Sequence, residues 1–155
     1  MGDSTSQSWL YRHIVEETSI AIIFADREGL IRYWNKAAEI VFGWPAGEVL
    51  GKSMDIIIPE KHRARHWEGY AEVMRSGTTK YGRNPLAVPA LTKNGGRISI
   101  EFFITLPRND AGQVLGAVAA IIDVTQRWER EKGLRQKLAS LEAELQRQRA
   151  SSPTQ

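Results

Sequence analysis

The sequence predicts an α+β fold: a five-stranded antiparallel sheet flanked by short helices, with an N-terminal cap helix and a C-terminal coiled-coil helix. Three observations predict it. β-Branched and apolar runs are joined by Gly-containing turns, first around residues 18–34 and again around 86–124. Helix-type patterns with caps fill the interval between them. From Gln126 the composition shifts abruptly to Arg, Glu, Gln, Lys and Leu. Strands in two groups separated by helices are the order of an α+β domain, not of alternating βαβ units.

Taken in order, Asp3 to Glu17 begins with cap-type residues and sets Trp9, Leu10, His13 and Ile14 at near-helical spacing, which predicts a short amphipathic helix resting on an apolar surface or a second chain. Thr18 to Ala25 and Leu30 to Trp34 read as two strands of a hairpin whose turn is Asp26-Arg27-Glu28-Gly29. Asn35 opens an Ala-rich helix over Lys36 to Phe42 that Gly43 ends, and Pro45 to Gly51 supplies another short helical turn. Pro59 is placed to start a helix that runs to about Arg75 and stops at Gly77. Three strands then meander: Leu86 to Thr92, Arg97 to Leu106 and Val114 to Val124, with turns at Lys93-Asn94-Gly95-Gly96 and Asn109-Asp110-Ala111-Gly112. In the middle strand the alternation puts Ile98, Ile100, Phe102 and Ile104 on the core face. Finally Leu134, Leu138, Leu141 and Leu145 are spaced by four, three and four, an a/d seam of about two heptads with Gly133 near its start.

Length and composition narrow the classes. At 155 residues, 42% hydrophobic and 25% charged, the chain has the make-up of one soluble core with an accessory helix. Apolar runs such as 117–122 are too short to span a bilayer, and no secretory leader is recognisable, so a cytoplasmic protein is expected. The net charge of +3 comes partly from the Arg-rich end, yet no nucleic-acid motif accompanies it; neither nucleic acid nor a membrane is an expected partner. No phosphate-binding Gly loop, nucleophile elbow or paired carboxylates on an apolar helix face is present, which argues against an enzyme. With no cysteine, disulfides and thiolate ligands are excluded, and a protein-derived metal ligand must be histidine, carboxylate, methionine or tyrosine.

The helix after Pro59 carries the one such candidate. Advancing about 100° per residue from His66 puts Val73 near −20°, Tyr70 near +40° and His62 near −40°, while Arg65, Glu68, Glu72 and Arg75 fall on the far side. His66 therefore points inward, as a metal ligand or as a core histidine bonded to a carbonyl. A His62–His66 zinc pair lacks further ligands nearby in sequence.

The whole order resembles the PAS domain. Tyr33-Trp34-Asn35-Lys36-Ala37-Ala38 looks like that family's strand-to-helix Asn-x-Ala motif, and Phe42-Gly43-Trp44 through Glu48-Val49-Leu50-Gly51 like its helix and Gly turn. Lys93-Asn94-Gly95 matches its hairpin, and Asp123-Val124-Thr125 its Asp-x-Thr junction with the signalling helix. The resemblance implies a helical cap at 1–18, a PAS sensor domain at 19–125, a signalling helix at 126–150 and a disordered tail at 151–155. It further implies a bacterial signal-transduction module that forms a homodimer and acts through an output protein such as a kinase.

Within the family, Pro59-Glu60-Lys61-His62-Arg63-Ala64-Arg65-His66 resembles the helix of the haem-binding PAS domain of the oxygen-sensor kinase FixL that bears its haem-ligating histidine. That likeness implies haem b held by His66, with Tyr70 beside it, Leu86, Phe102 and Ile104 around the opposite face, and Lys80 and Arg83 near the propionates or the distal side. The position of FixL's oxygen-contacting arginine falls on Leu86, and that of a further arginine on Glu72. The implied signal is a diatomic gas or a redox change, relayed through Asp123 and Thr125. Two alternatives stand beside haem: a pocket filled by the chain's own side chains in a cofactor-free interaction module, and a pocket holding flavin or a small apolar ligand.

Overall fold

A computed structural model describes residues 4–80 and 84–151. The elements follow the expected order: α1 (Ser4–Glu17), β1 (Ala21–Asp26), β2 (Ile31–Trp34), α2 (Lys36–Phe42), α3 (Ala46–Val49), a 3-10 turn (Met54–Ile56), α4 (Glu60–Ser76), β3 (Leu86–Leu91), β4 (Arg97–Thr105), β5 (Gly116–Asp123) and α5 (Thr125–Ser151). The five strands form one antiparallel sheet in the order β2-β1-β5-β4-β3. Closing β5 between β1 and β4 is what makes one sheet of two hairpins, and no local signal in the sequence specifies that pairing.

Local chemistry accounts for the breaks. Asp26 Oδ1 accepts from the amides of Glu28 and Leu30, an Asx turn, and Gly29 takes a φ of 79° there. Asn35 caps α2 through the Ala38 amide, and Gly43 ends it in the left-handed region. Gly77 ends α4 in the same way.

The strands end within a residue of expectation, but three of them start later. The first strand starts at Ala21, not Thr18, because the Ile20 carbonyl is taken by the Asn35 side chain. Leu30 pairs with Ser53 in an isolated bridge outside β2, and Val114 with Arg108 outside β5, so both strands begin later than the apolar runs do.

The inner face of the sheet carries the core. Ala21, Ile23, Ile31, Trp34, Ala90, Ile100 and Ile121 are buried there with Ala37, Ala38, Phe42, Val49 and Ile57 from the α2–α3 side. At about 25 cal/mol per Å² of apolar surface, such side chains supply most of the stabilisation of a domain this size. The sheet is not covered evenly: Leu86, Val88, Phe102, Ile104, Ala117 and Ala119 are only half-buried.

Helix α1 is held by polar tethers. Asn35 Nδ2 donates to the Val15 carbonyl at 2.8 Å and the Tyr33 hydroxyl to Glu16 at 2.7 Å. Its apolar residues Trp9, Leu10 and Ile14 are exposed, so of the two expected settings, an apolar surface of this chain or a second chain, the first is not met. The chain divides into two compact units between Asp123 and Val124. Helix α5 runs from Thr125 to Ser151, one residue beyond each expected bound, with its leucines exposed; the expected tail beyond it, 152–155, lies outside the described residues.

Candidate functional site

Helix α4 carries the site, and it is fixed at its ends. At its start the Ile57 carbonyl accepts from the Leu91 amide at 2.9 Å, and Arg63 donates to the carbonyls of Ile58 and Asp55. Farther along, the Tyr70 hydroxyl donates to Asp26 O at 2.6 Å and approaches Ala25 O at 3.1 Å. At its finish Arg27 donates to Met74 O and Arg108 to Gly77 O. On the inner sheet face Val88, Phe102 and Ala119 pack against the core cluster yet stay only half-buried.

The predicted stripe is present but shallow. His62, His66, Tyr70 and Val73 are all half-buried, and the one fully buried residue of α4 is Met74, at the edge of that stripe. Met74 is buried because the last turn, not the middle, is drawn in by Arg27 and Arg108.

His66 lies 4.8 Å from the Trp67 ring and 5.9 Å from the Tyr70 ring. Its Nδ1 is buried without a hydrogen-bond partner, and so is Nε2 of His62 one turn earlier. Burial lowers the His66 pKa from its ordinary value against the opposing pull of Asp55, which leaves the ring neutral at pH 7. A neutral imidazole with an unspent nitrogen is what a metal ion requires. Spacing puts His62 on the inward stripe but carries no sign that its nitrogen is left without a partner. No group of three or more His, Cys, Asp or Glu able to hold a metal occurs among the described residues, so a purely protein-ligated metal centre is not supported.

The remaining candidates divide. Leu86 pairs with Phe102 across β3 and β4, which puts both on the inner face with Ile104 two residues on. Tyr70 spends its hydroxyl on backbone carbonyls; burial and the nearby Asp26 carboxylate push its pKa to about 12. Lys80 is exposed, and Arg83 lies outside the described residues. Asp123 is the last residue of β5 and Thr125 the first of α5. Trp67, which no motif in the sequence marked, donates from Nε1 to Asp55 at 2.8 Å and braces α4 against the 3-10 turn.

The family model described as the PAS fold matches residues 10–124. The chain belongs to the PAS family. It is 38% identical over 55 residues, 36% of its length, to the sensor protein FixL of Bradyrhizobium diazoefficiens, where the match covers 11% of that protein. It is 26% identical over 132 residues, 83% of its length, to the signal transduction histidine-protein kinase AtoS of Escherichia coli, covering 20% of that protein. Among solved structures an RNA-binding light-oxygen-voltage receptor superimposes with a TM-score of 0.71 at 25% identity, over 90% of this chain and 39% of that one. The chain thus spans about a fifth or less of the length of the curated relatives it matches. PAS domains are sensory modules, in these relatives parts of sensor kinases, and no helix among the described residues is long and apolar enough to cross a membrane.

Proposed function

We propose that this PAS domain is a haem-based gas or redox sensor, with His66 as the axial ligand of haem b. The observation that carries the reading is the neutral His66 ring with a buried, unpartnered nitrogen on the half-buried face of α4. Bound haem supplies an iron that takes a diatomic ligand or changes oxidation state. Everything else is supplied by the chain. Imidazole in its neutral form offers a lone pair without first losing a proton, so burial of His66 lowers the cost of ligation. Leu86, Phe102 and Ile104, half-buried on the inner sheet face, would supply the apolar wall around a bound ligand and keep water from it. Lys80, with Arg83, balances the propionates. Tyr70, locked to the Ala25 and Asp26 carbonyls, holds α4 to the end of β1, so a shift of α4 is felt by the sheet. Asp123 and Thr125 pass that shift to α5, which pairs with a second copy and drives an output protein such as a kinase in a bacterial cytoplasm.

The test is the visible spectrum of purified protein mixed with haem. A Soret band that shifts with carbon monoxide and is lost in His66→Ala supports the reading. Failure to take up haem refutes it and leaves the cofactor-free interaction module. A flavin spectrum in the protein as isolated would favour the third reading.

A further inference from the structure

The last turn of α4 borders a cleft that His66 does not line. It is open, about 490 Å³, and lies between Met74–Gly77, the turn at Arg27 and the segment from Arg108 to Leu115. Three arginines line it; Arg75 is paired with Glu72, while Arg27 and Arg108 are held in place by carbonyls. Arg27 donates to Val114 O at 2.7 Å and Met74 O at 3.1 Å; Arg108 donates to Gly112 O at 2.8 Å and Gly77 O at 2.6 Å. A guanidinium has five N–H donors, so each arginine keeps donors to spare, and its plane is fixed before any ligand arrives.

Their charge is not compensated by side chains. Arg32, Arg63 and Arg75 each have a carboxylate within 4.0 Å, whereas among the described residues Arg27 and Arg108 have none. What faces them is the C-terminal end of α4, worth roughly half a negative charge. The side chains that line the cleft include arginines and no carboxylate, so its wall is positive. Beside it Met74 and Val114 are buried and Leu115 is 45% exposed, so the charged groups adjoin an apolar wall.

We propose that this cleft binds a small organic anion, its oxyanion (carboxylate or phosphate) on Arg27 and Arg108 and its apolar part on Leu115. Both arginines also hold the carbonyls that end α4, so the ligand sits at the fastening of the helix that bears His66.

The full chain, labelled with 15N, is titrated with acetate, hexanoate and inorganic phosphate at fixed ionic strength. The expected result is saturable shifts at the amides of Gly77, Gly112 and Leu115, with hexanoate binding several-fold more tightly than acetate. Arg27→Gln and Arg108→Gln should each lower affinity about tenfold, the loss expected for a charge-assisted hydrogen bond. Arg97→Gln, the same charge change on an exposed residue of β4, should leave it unchanged. Should either glutamine variant fail to fold, Leu115→Ala still discriminates: it weakens hexanoate and spares phosphate. No saturable shift at those amides, equal loss in Arg97→Gln, or equal effects of Leu115→Ala on both ligands overturns the proposal.

Discussion

Asn35 is fully buried and its amide makes four hydrogen bonds to three elements. Oδ1 accepts from the amides of Ile22 and Ala38 at 2.9 and 3.0 Å; Nδ2 donates to the carbonyls of Val15 and Ile20 at 2.8 and 3.0 Å. Asn35→Ala removes the α2 cap, a loss of about 1 kcal/mol. It also strands the Ile22 amide inside the hairpin, about 1–2 kcal/mol more, while the Val15 and Ile20 carbonyls lie near enough to the surface to take water at small cost. The expected loss is about 3 kcal/mol, a large part of the 5–15 kcal/mol typical of a domain. In urea, with a slope of about 1.5 kcal/mol per M, the midpoint should fall by about 2 M. Asn35→Asp is the sharper variant: it keeps the acceptor, and with it the cap, but sets oxygen against two carbonyls. It should therefore release α1, read as faster amide exchange over Ser4–Glu17, while α2 stays protected. A loss under about 1 kcal/mol in Asn35→Ala, or unchanged exchange of α1 in Asn35→Asp, would refute the assignment of Asn35 as the joint between these elements.

Tyr70→Phe should cost about 1 kcal/mol, since the hydroxyl donates to the Asp26 carbonyl beside that of Ala25; equal denaturation midpoints would count against it. Tyr33 and Tyr70 should both titrate near pH 12, Tyr33 through burial and its bond to Glu16, Tyr70 through burial and Asp26. Because both folded values lie above the unfolded one, their stabilisation is complete below about pH 10 and is lost as pH rises toward 12, a loss that denaturation at alkaline pH should show to be smaller in Tyr70→Phe. Leu138 and Leu141 are 56% and 58% exposed, so if α5 pairs with a second copy, a Leu138→Lys, Leu141→Lys double variant should halve the mass seen by light scattering and leave unit 4–123 folded. A monomeric parent chain would remove the ground for that pairing.

Legibility differed by the range of the interaction involved. Helix α2 was readable to the residue because its start and stop are local: an Asn cap and a left-handed Gly. The inward set of β4 was readable because alternation is a property of the strand itself, and Ile100 is indeed buried. The face of α4 bearing His66 came from periodicity, yet its depth did not. Spacing cannot reveal that Arg27 and Arg108, 47 residues before Met74 and 31 after Gly77, pull in the far end and leave His66 and Tyr70 half-buried.

The sequence alone determined the order of elements, their caps and turns, the inward side of α4 and the lack of any thiol chemistry, since each follows from neighbours within a few residues. Only the tertiary structure decided that β5 lies between β1 and β4, that Asn35 fastens α1, that the nitrogens of His62 and His66 are left without partners, and that two arginines converge on one cleft. Those are contacts between distant segments, whose closure depends on how the whole core packs and not on any local preference.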